Sequence, residues 1–355
     1  CSMATAAAAL PRTRNQAVDL VKTVAICAVI VTHVTAPAFG MGDVGSAPWL
    51  TALFWASVSH ASVPLFLMAS GALLLDPGRE LTLRKLYTKN FPRLLIALLF
   101  WAACYKLFIM ALFGGVTVPG LIQAGKELVL FRHEEHLYYL HIMLLVYAFL
   151  PLTRLVSCHA PRHVAAYLLG LWALLGIVYP TVKDFWPFTL LVGIPQQWRM
   201  NMTYASIGYT LLGWYLSSGS KDRRRWLWAG CAAAGIAAGF IGSWAASNAA
   251  GSLRLGFLEG MGVPMCLLAV GIYQLCGRAR LPVWAVRLTE WISRGSFCVF
   301  LVHIFFLKTF AHFGLTAQVG PAIVTVPMMT LLLLGCSMAV YALLRRIPVV
   351  NRWLI

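Results

Sequence analysis

Charge is what this 355-residue chain has least of: charged residues make up 11% of it and acidic ones number only 11. A typical soluble domain carries about 25% charged residues, so a soluble globular surface is excluded. No long polar linker or composition break divides the chain, which argues against a string of separate domains. There is no Walker loop, no G-x-G-x-x-G turn, no H-E-x-x-H helix and no repeat of the kind that marks inverted transporter halves. The nine cysteines include no C-x-x-C pair. Cys27, Cys104, Cys231, Cys266, Cys298 and Cys336 lie inside apolar segments, where they read as small hydrophobes rather than metal ligands or redox partners.

What is present is apolar. Hydrophobic residues make up 60% of the chain and the mean hydropathy is +0.78. Apolar segments fall at residues 18–39, 50–75, 91–113, 137–156, 164–179, 202–217, 227–247, 256–276, 291–313 and 322–344. At about 20 residues per membrane-spanning helix, the expected fold is an all-α, polytopic integral membrane protein with about ten transmembrane helices. The net charge of +17 raises the question of nucleic acid, but its distribution answers it. With ten spans and both termini cytoplasmic, only Lys126, Arg132, Lys183, Arg199 and Arg254 fall outside. Lys22, Lys106 and Lys308 lie in or at the edges of spans, and every other Lys and Arg is inside. The expected divisions are a cytoplasmic tail at 1–16, a transmembrane domain at 17–346 and a cytoplasmic tail at 347–355. Within the first tail, Cys1-Ser2 ahead of Met3 reads as a cloning remnant and residues 4–10 as a poorly ordered low-complexity run. Arg12, Arg14 and Ala36-Pro37-Ala38 could flank a cleaved signal peptide, but the chain retains this segment and it reads as a span.

The polar residues within spans carry the chemistry. Lys22 and His33 are eleven residues apart in the first span, on nearly one helical stripe and about 16 Å apart along the axis. Ionisable groups at membrane depth are costly, and a basic residue with an imidazole three turns above it suggests a site that grips an anion and moves a proton or an acyl group. Asp19, three residues before Lys22, suits an ion pair with it. In the second segment Pro64 should kink the helix and Ser70-Gly71 should let a neighbour approach closely; Ser70 is a packing residue or a lining one, and His60 lies nearer the outer surface. Arg84, Lys85, Lys89 and Arg93, with Arg79, orient the following loop and would also bind a polyphosphate. Outside, Arg132-His133-Glu134-Glu135-His136 leads into Tyr138-Tyr139-Leu140-His141, a mix of hydrogen-bonding groups and flat rings that suits sugar hydroxyls. His303 adds an intramembrane imidazole, and Glu259 a carboxylate near an outer end.

Taken in order, these motifs resemble the signatures of the membrane acyltransferase-3 superfamily. They are Val18-Asp19-x-x-Lys22 with ten residues to His33, Ser62-Val63-Pro64-Leu65-Phe66 running to Ser70-Gly71, His136-Leu137-Tyr138-Tyr139-Leu140, and the stretch from Ser293 to His303. The chain looks most like the enterobacterial common antigen O-acetyltransferase type. The resemblance implies an acyl-CoA-dependent O-acetyltransferase of the bacterial inner membrane, with His33 as acyl acceptor or general base and Lys22 as the basic partner of the family motif. Lys stands where Arg is commoner, a point charge in place of a bidentate fork, and Tyr138 stands where Trp is usual. Asp19 joins the catalytic set. Arg84, Lys85, Lys89 and Arg93 would bind the donor. His60, His136, Tyr139 and Glu259 would bind the acceptor, and Ser70 and His303 would line the conduit. Acetyl-CoA is expected as substrate with no permanently bound cofactor and no metal, and a surface glycan or lipid-linked sugar as acceptor. Membrane lipid surrounds the protein, no nucleic acid is expected, and a homo-oligomer is compatible with all of this. The competing reading from the same polar interior is a transporter or exporter of a lipid-linked glycan.

Overall fold

The computed structural model describes residues 14–40, 42–185, 187–219 and 224–355. Residues 1–13, with Cys1-Ser2, the 4–10 run and Arg12, lie outside them, as do Lys221 and Arg223. Among the described residues every regular element is helical. In order they are α1 (Gln16–Thr35), α2 (Ala47–Ser59), α3 (Ser62–Leu74), α4 (Leu83–Lys85), α5 (Phe91–Phe113), α6 (Val118–Val129), α7 (Tyr138–His159), α8 (Arg162–Trp172), α9 (Tyr179–Val182), α10 (Met202–Ser217), α11 (Arg225–Ala250), α12 (Val263–Cys276), α13 (Val283–His312), α14 (Ala322–Leu344) and α15 (Pro348–Trp353). Short π-helical stretches, Leu86–Asn90 and Ala173–Val178, join α4 to α5 and α8 to α9.

Nine helical stretches among the described residues are long and apolar enough to cross a membrane. The tenth expected segment does form a helix, but α10 has only 16 residues, about 24 Å at 1.5 Å per residue. The second span is broken. Pro64 has no N–H to offer the His60 carbonyl, and the chain turns at His60-Ala61 to leave two helices of 13 residues each.

Hydrogen bonds fix which ends lie together. Arg154 at the end of α7 donates to the Leu74 carbonyl at 2.7 Å, closing it on the end of α3. Arg162 at the start of α8 donates to the Tyr215 carbonyl near the end of α10, and Arg225 at the start of α11 donates to the Arg278 carbonyl just past α12. Thr23 in α1 donates to the Thr289 carbonyl in α13. The starts of α1, α8, α11 and α13 therefore share one end of the bundle with the ends of α3, α7, α10 and α12. The 347–355 segment, expected as a tail, folds as α15 against α5 at this same end. Trp101 donates to the Leu354 carbonyl at 2.9 Å and Arg93 to that of Ile355.

Lipid tails are as apolar as leucine, so packing rather than hydrophobic exclusion holds helices together inside a membrane. The tightest seam is α3 on α10. A Cβ added at Gly71 would lie 1.9 Å from the Thr210 carbonyl oxygen, and one at Gly213 would lie 2.0 Å from that of Met68. Only glycine fits either place. Gly71→Ala is expected to cost about 1–3 kcal/mol through overpacking, seen as a lowered Tm of the detergent-purified protein; an unchanged Tm would mean the seam yields.

Candidate active site

His33 sits in the last turn of α1 and is half-buried. Two further imidazoles converge on it from other parts of the chain. His303, about two thirds of the way along α13, is 0% exposed, and its ring centre lies 5.3 Å from that of His33. His136, in the 3-10 turn Glu135–Leu137 that leads into α7, is 4% exposed and lies 6.3 Å from His33 and 6.0 Å from His303. Three segments far apart in sequence thus bring three rings together, His136 edge-on to the other two and His33 tilted against His303.

The protonation of one ring follows from its partners. His303 Nδ1 contacts two carbonyl oxygens of its own helix, Val299 at 3.0 Å and Phe300 at 2.9 Å. Carbonyls only accept, so Nδ1 carries the hydrogen, and in the neutral ring Nε2 keeps a lone pair. Nε2 of His303 and Nε2 of His136 are both buried without a protein hydrogen-bond partner. Buried polar atoms are nearly always paired; two such atoms beside His33 mark a place built to receive a polar group.

Aromatic rings wall the cluster. Tyr105 of α5 packs edge-on to His136 at 4.7 Å, stacks on Phe305 at 3.9 Å and donates its hydroxyl to the Leu301 carbonyl at 2.6 Å. Phe300 meets His136 at 6.0 Å and Tyr139 at 5.4 Å. Tyr139 also faces Phe66, and the Ser70 hydroxyl lies beside its phenol. His60, at the break between α2 and α3, bonds through Nδ1 to the Ala56 carbonyl at 2.8 Å. The Thr32 hydroxyl donates to that of Ser59 at 3.0 Å, which sets His33 and His60 on adjoining turns. Sequence reasoning missed Tyr105, Phe300 and Phe305. They stand in apolar runs with other aromatic residues nearby, and no local signal separates them from packing residues.

Lower on α1, Asp19 does not pair with Lys22 as its spacing suggested. Arg14 grips its carboxylate through Nε at 2.6 Å and a terminal nitrogen at 2.8 Å, and Ser293 donates to it at 2.7 Å. Lys22 Nζ instead donates to the Ser293 carbonyl at 3.0 Å. The i+3 ion pair lost to a bidentate guanidinium, which fits a carboxylate better than an ammonium does. Arg84, Lys85 and Lys89 are exposed on α4 and the π-helical stretch, while Arg93 is engaged with Ile355. Glu259 is exposed beside the Gly260 turn. His303, expected to line the conduit, is a direct neighbour of His33.

At the other end, α6 leans on α5 through a 2.6 Å ion pair between Lys106 and Glu127. The hydrogen bond from Lys106, helped by one from Gln123, holds the Glu127 carboxyl below its ordinary value of 4.5. A depressed carboxyl adds stability above its unfolded-state pKa and loses it as pH falls through the folded one. The Tm advantage of the wild type over Glu127→Gln should therefore shrink as the pH is lowered below about 4; an advantage constant with pH would show that the pair contributes nothing. Nearby, His133 Nδ1 lies 3.2 Å from His141 Nε2, and Lys308 lies 3.5 Å from Glu134. Among the described residues no group of three or more His, Cys, Asp or Glu is arranged to hold a metal ion.

An all-helical bundle with a polar, ring-walled centre among apolar spans defines a polytopic membrane protein with a site in its interior. The chain belongs to the acyltransferase-3 family: the Acyltransferase domain description of that family matches residues 15–344. It is a membrane acyltransferase. Comparison with curated proteins and with solved structures gives no match.

Proposed function

We propose that the protein moves an acetyl or other short acyl group from acyl-CoA, supplied at the basic end of the bundle, to a hydroxyl of an extracytoplasmic or lipid-linked surface glycan. In this reading it acts in the bacterial inner membrane, with both termini cytoplasmic and the activity of an enterobacterial common antigen O-acetyltransferase. The observation that carries it is the facing of His33 and His303, with the His303 tautomer fixed so that Nε2 can take a proton. His33 attacks the thioester carbonyl, the C–S bond breaks, and the CoA thiolate leaves and is protonated. The resulting acyl-imidazole passes its acyl group to the sugar hydroxyl, whose proton goes to the imidazole pair. In the direct alternative His33 takes the hydroxyl proton while the sugar oxygen attacks the thioester, the C–S bond breaks, and the leaving CoA thiolate takes that proton from the imidazolium. Both routes need an uncharged imidazole. Lys22 and Asp19 hold α1 to α13 below this point, and His60, His136 and Tyr139 stand on the acceptor side. The exposed cations Arg84, Lys85 and Lys89 add to a positive field that draws an anionic donor.

Purified protein given acetyl-CoA and an extract of lipid-linked surface glycans should release free CoA thiol and yield glycans that gain an acetyl group by mass spectrometry. Movement of the glycan across vesicle membranes with no CoA release would overturn the reading in favour of an exporter.

A further inference from the structure

Phe305 of α13 is seated against one face of α5. Trp101, Tyr105 and Phe108 stand at i, i+4 and i+7 and so share a helical face. Their ring centres lie 6.1, 3.9 and 4.8 Å from that of Phe305. Rings packed in this way limit how far the two helices can slide past each other.

Tyr105 does more than stack. It is 0% exposed, and its hydroxyl is spent on the backbone of α13. The hydroxyl donates to the Leu301 carbonyl at 2.6 Å and accepts from the Phe305 N–H. In an α-helix the N–H of each residue pairs with the carbonyl four before it, so these two groups are the ends of a single rung. His303 lies in the middle of the turn which that rung spans. With its donor committed, the hydroxyl has no proton to offer the site. Neither His136 Nε2 nor His303 Nε2 has it as a partner.

The bonds from His303 Nδ1 to the Val299 and Phe300 carbonyls fix the ring on its own helix. They leave rotation of α13 about its axis free, because ring and carbonyls turn together. A bond from α5 removes that freedom. A side-chain tip about 5 Å from a helix axis moves nearly 1 Å when the helix turns by about 10°. A misplacement of about 1 Å can cost about 10²-fold in rate.

We propose that Tyr105 is a positioning residue: its hydroxyl clamps the 301–305 turn of α13 and so sets the angle at which His303 faces His33. Its consequence for turnover rests on the acyl-transfer reading given above; the placement of the ring does not.

Tyr105→Phe deletes the hydroxyl and keeps the ring against Phe305 and His136. Tyr209→Phe is the matched control. Tyr209 is also 0% exposed and donates to a carbonyl, that of Gly260 at 2.7 Å, with Trp172 rather than an imidazole against its ring. In the purified full chain, Tyr105→Phe should lower kcat about tenfold or more with the KM for acetyl-CoA unchanged. Tyr209→Phe should keep the wild-type kcat at a similar loss of Tm. Added to His303→Asn, Tyr105→Phe should cost no further activity, because the group it orients is already gone. Para-fluorophenylalanine at 105 fills the hydroxyl's space without its hydrogen; it should behave as Tyr105→Phe and replaces that variant should it fail to fold. Para-aminophenylalanine, which restores a donor, should recover most of the loss.

Ring-nitrogen NMR of the full chain in lipid, with isotope-labelled histidine, reads the placement without any turnover. The His303 signals, identified by their loss in His303→Asn, should move in Tyr105→Phe and stay in Tyr209→Phe. Those of the exposed His159 and His163 should stay in both. Unmoved His303 signals, or a full further loss of activity on top of His303→Asn, would overturn the proposal. Moved signals with kcat at the wild-type value would instead remove His303 from the reaction, and with it the proton-taking role given above. A wild type that transfers no acyl group would sink the acyl-transfer reading and leave the ring signals to decide the placement.

Discussion

His33→Ala is expected to abolish acyl transfer while leaving a folded, membrane-inserted protein. The ring lies at the end of α1 among two other imidazoles, and its removal takes away the group proposed to meet a thioester or a hydroxyl. General-base or nucleophilic contributions are typically about 10²–10⁴-fold, so CoA release and glycan acylation should fall by at least about two orders of magnitude. Elution volume and Tm should stay near wild type, because the half-buried ring sits at a helix end rather than in a packed layer. His33→Gln, which keeps much of the volume and a hydrogen-bonding tip, should be equally inactive. Turnover within about tenfold of wild type in either variant would remove His33 from the chemistry.

The second large effect is expected at His303, where two substitutions separate two roles. Asparagine can imitate the Nδ1–H that anchors the ring to the Val299 and Phe300 carbonyls, but it offers nothing at the Nε2 position. If Nε2 takes the proton from His33, His303→Asn and His303→Ala should both lose about 10²-fold or more in kcat with little change in the KM for acyl-CoA, the pattern of an interaction made only in the transition state. If His303 merely props up α13, His303→Asn should turn over as wild type and only His303→Ala should fail. Steady-state kinetics on the two purified variants distinguishes these outcomes.

Much of the frame is readable from the residues because membrane depth imposes strong rules. The segments expected at 91–113, 202–217 and 322–344 are the helices α5, α10 and α14. The close approach expected at Ser70-Gly71 is the α3–α10 seam. Pro64 signalled a kink but not its severity: whether a missing hydrogen bond bends a helix or breaks it depends on what packs beside the turn. Residues of the candidate site were named from several segments, His136 and His303 among them, but distances between them were legible only along a single helix. Helical spacing set Lys22 beneath His33, yet spacing within one helix says nothing about which face of α13 turns inward, so His303 read as a lining residue and Tyr105 as packing. Asp19 failed for the same reason. Its i+3 neighbour was visible, whereas its real partners include a serine on α13, brought near by the fold alone.

The glycine contact between α3 and α10 has a mechanical consequence. Where two backbones touch with no side chains between them, there is no soft layer to shear, and the pair moves as one stiff beam. Ser70 is the residue next to Gly71 on that beam, and it meets Tyr139 across a gap set by peptide groups rather than by rotamers. One wall of the candidate site is thereby held to a tolerance that flexible packing could not deliver. Any adjustment to a bound molecule must come from the other walls, because this side does not give.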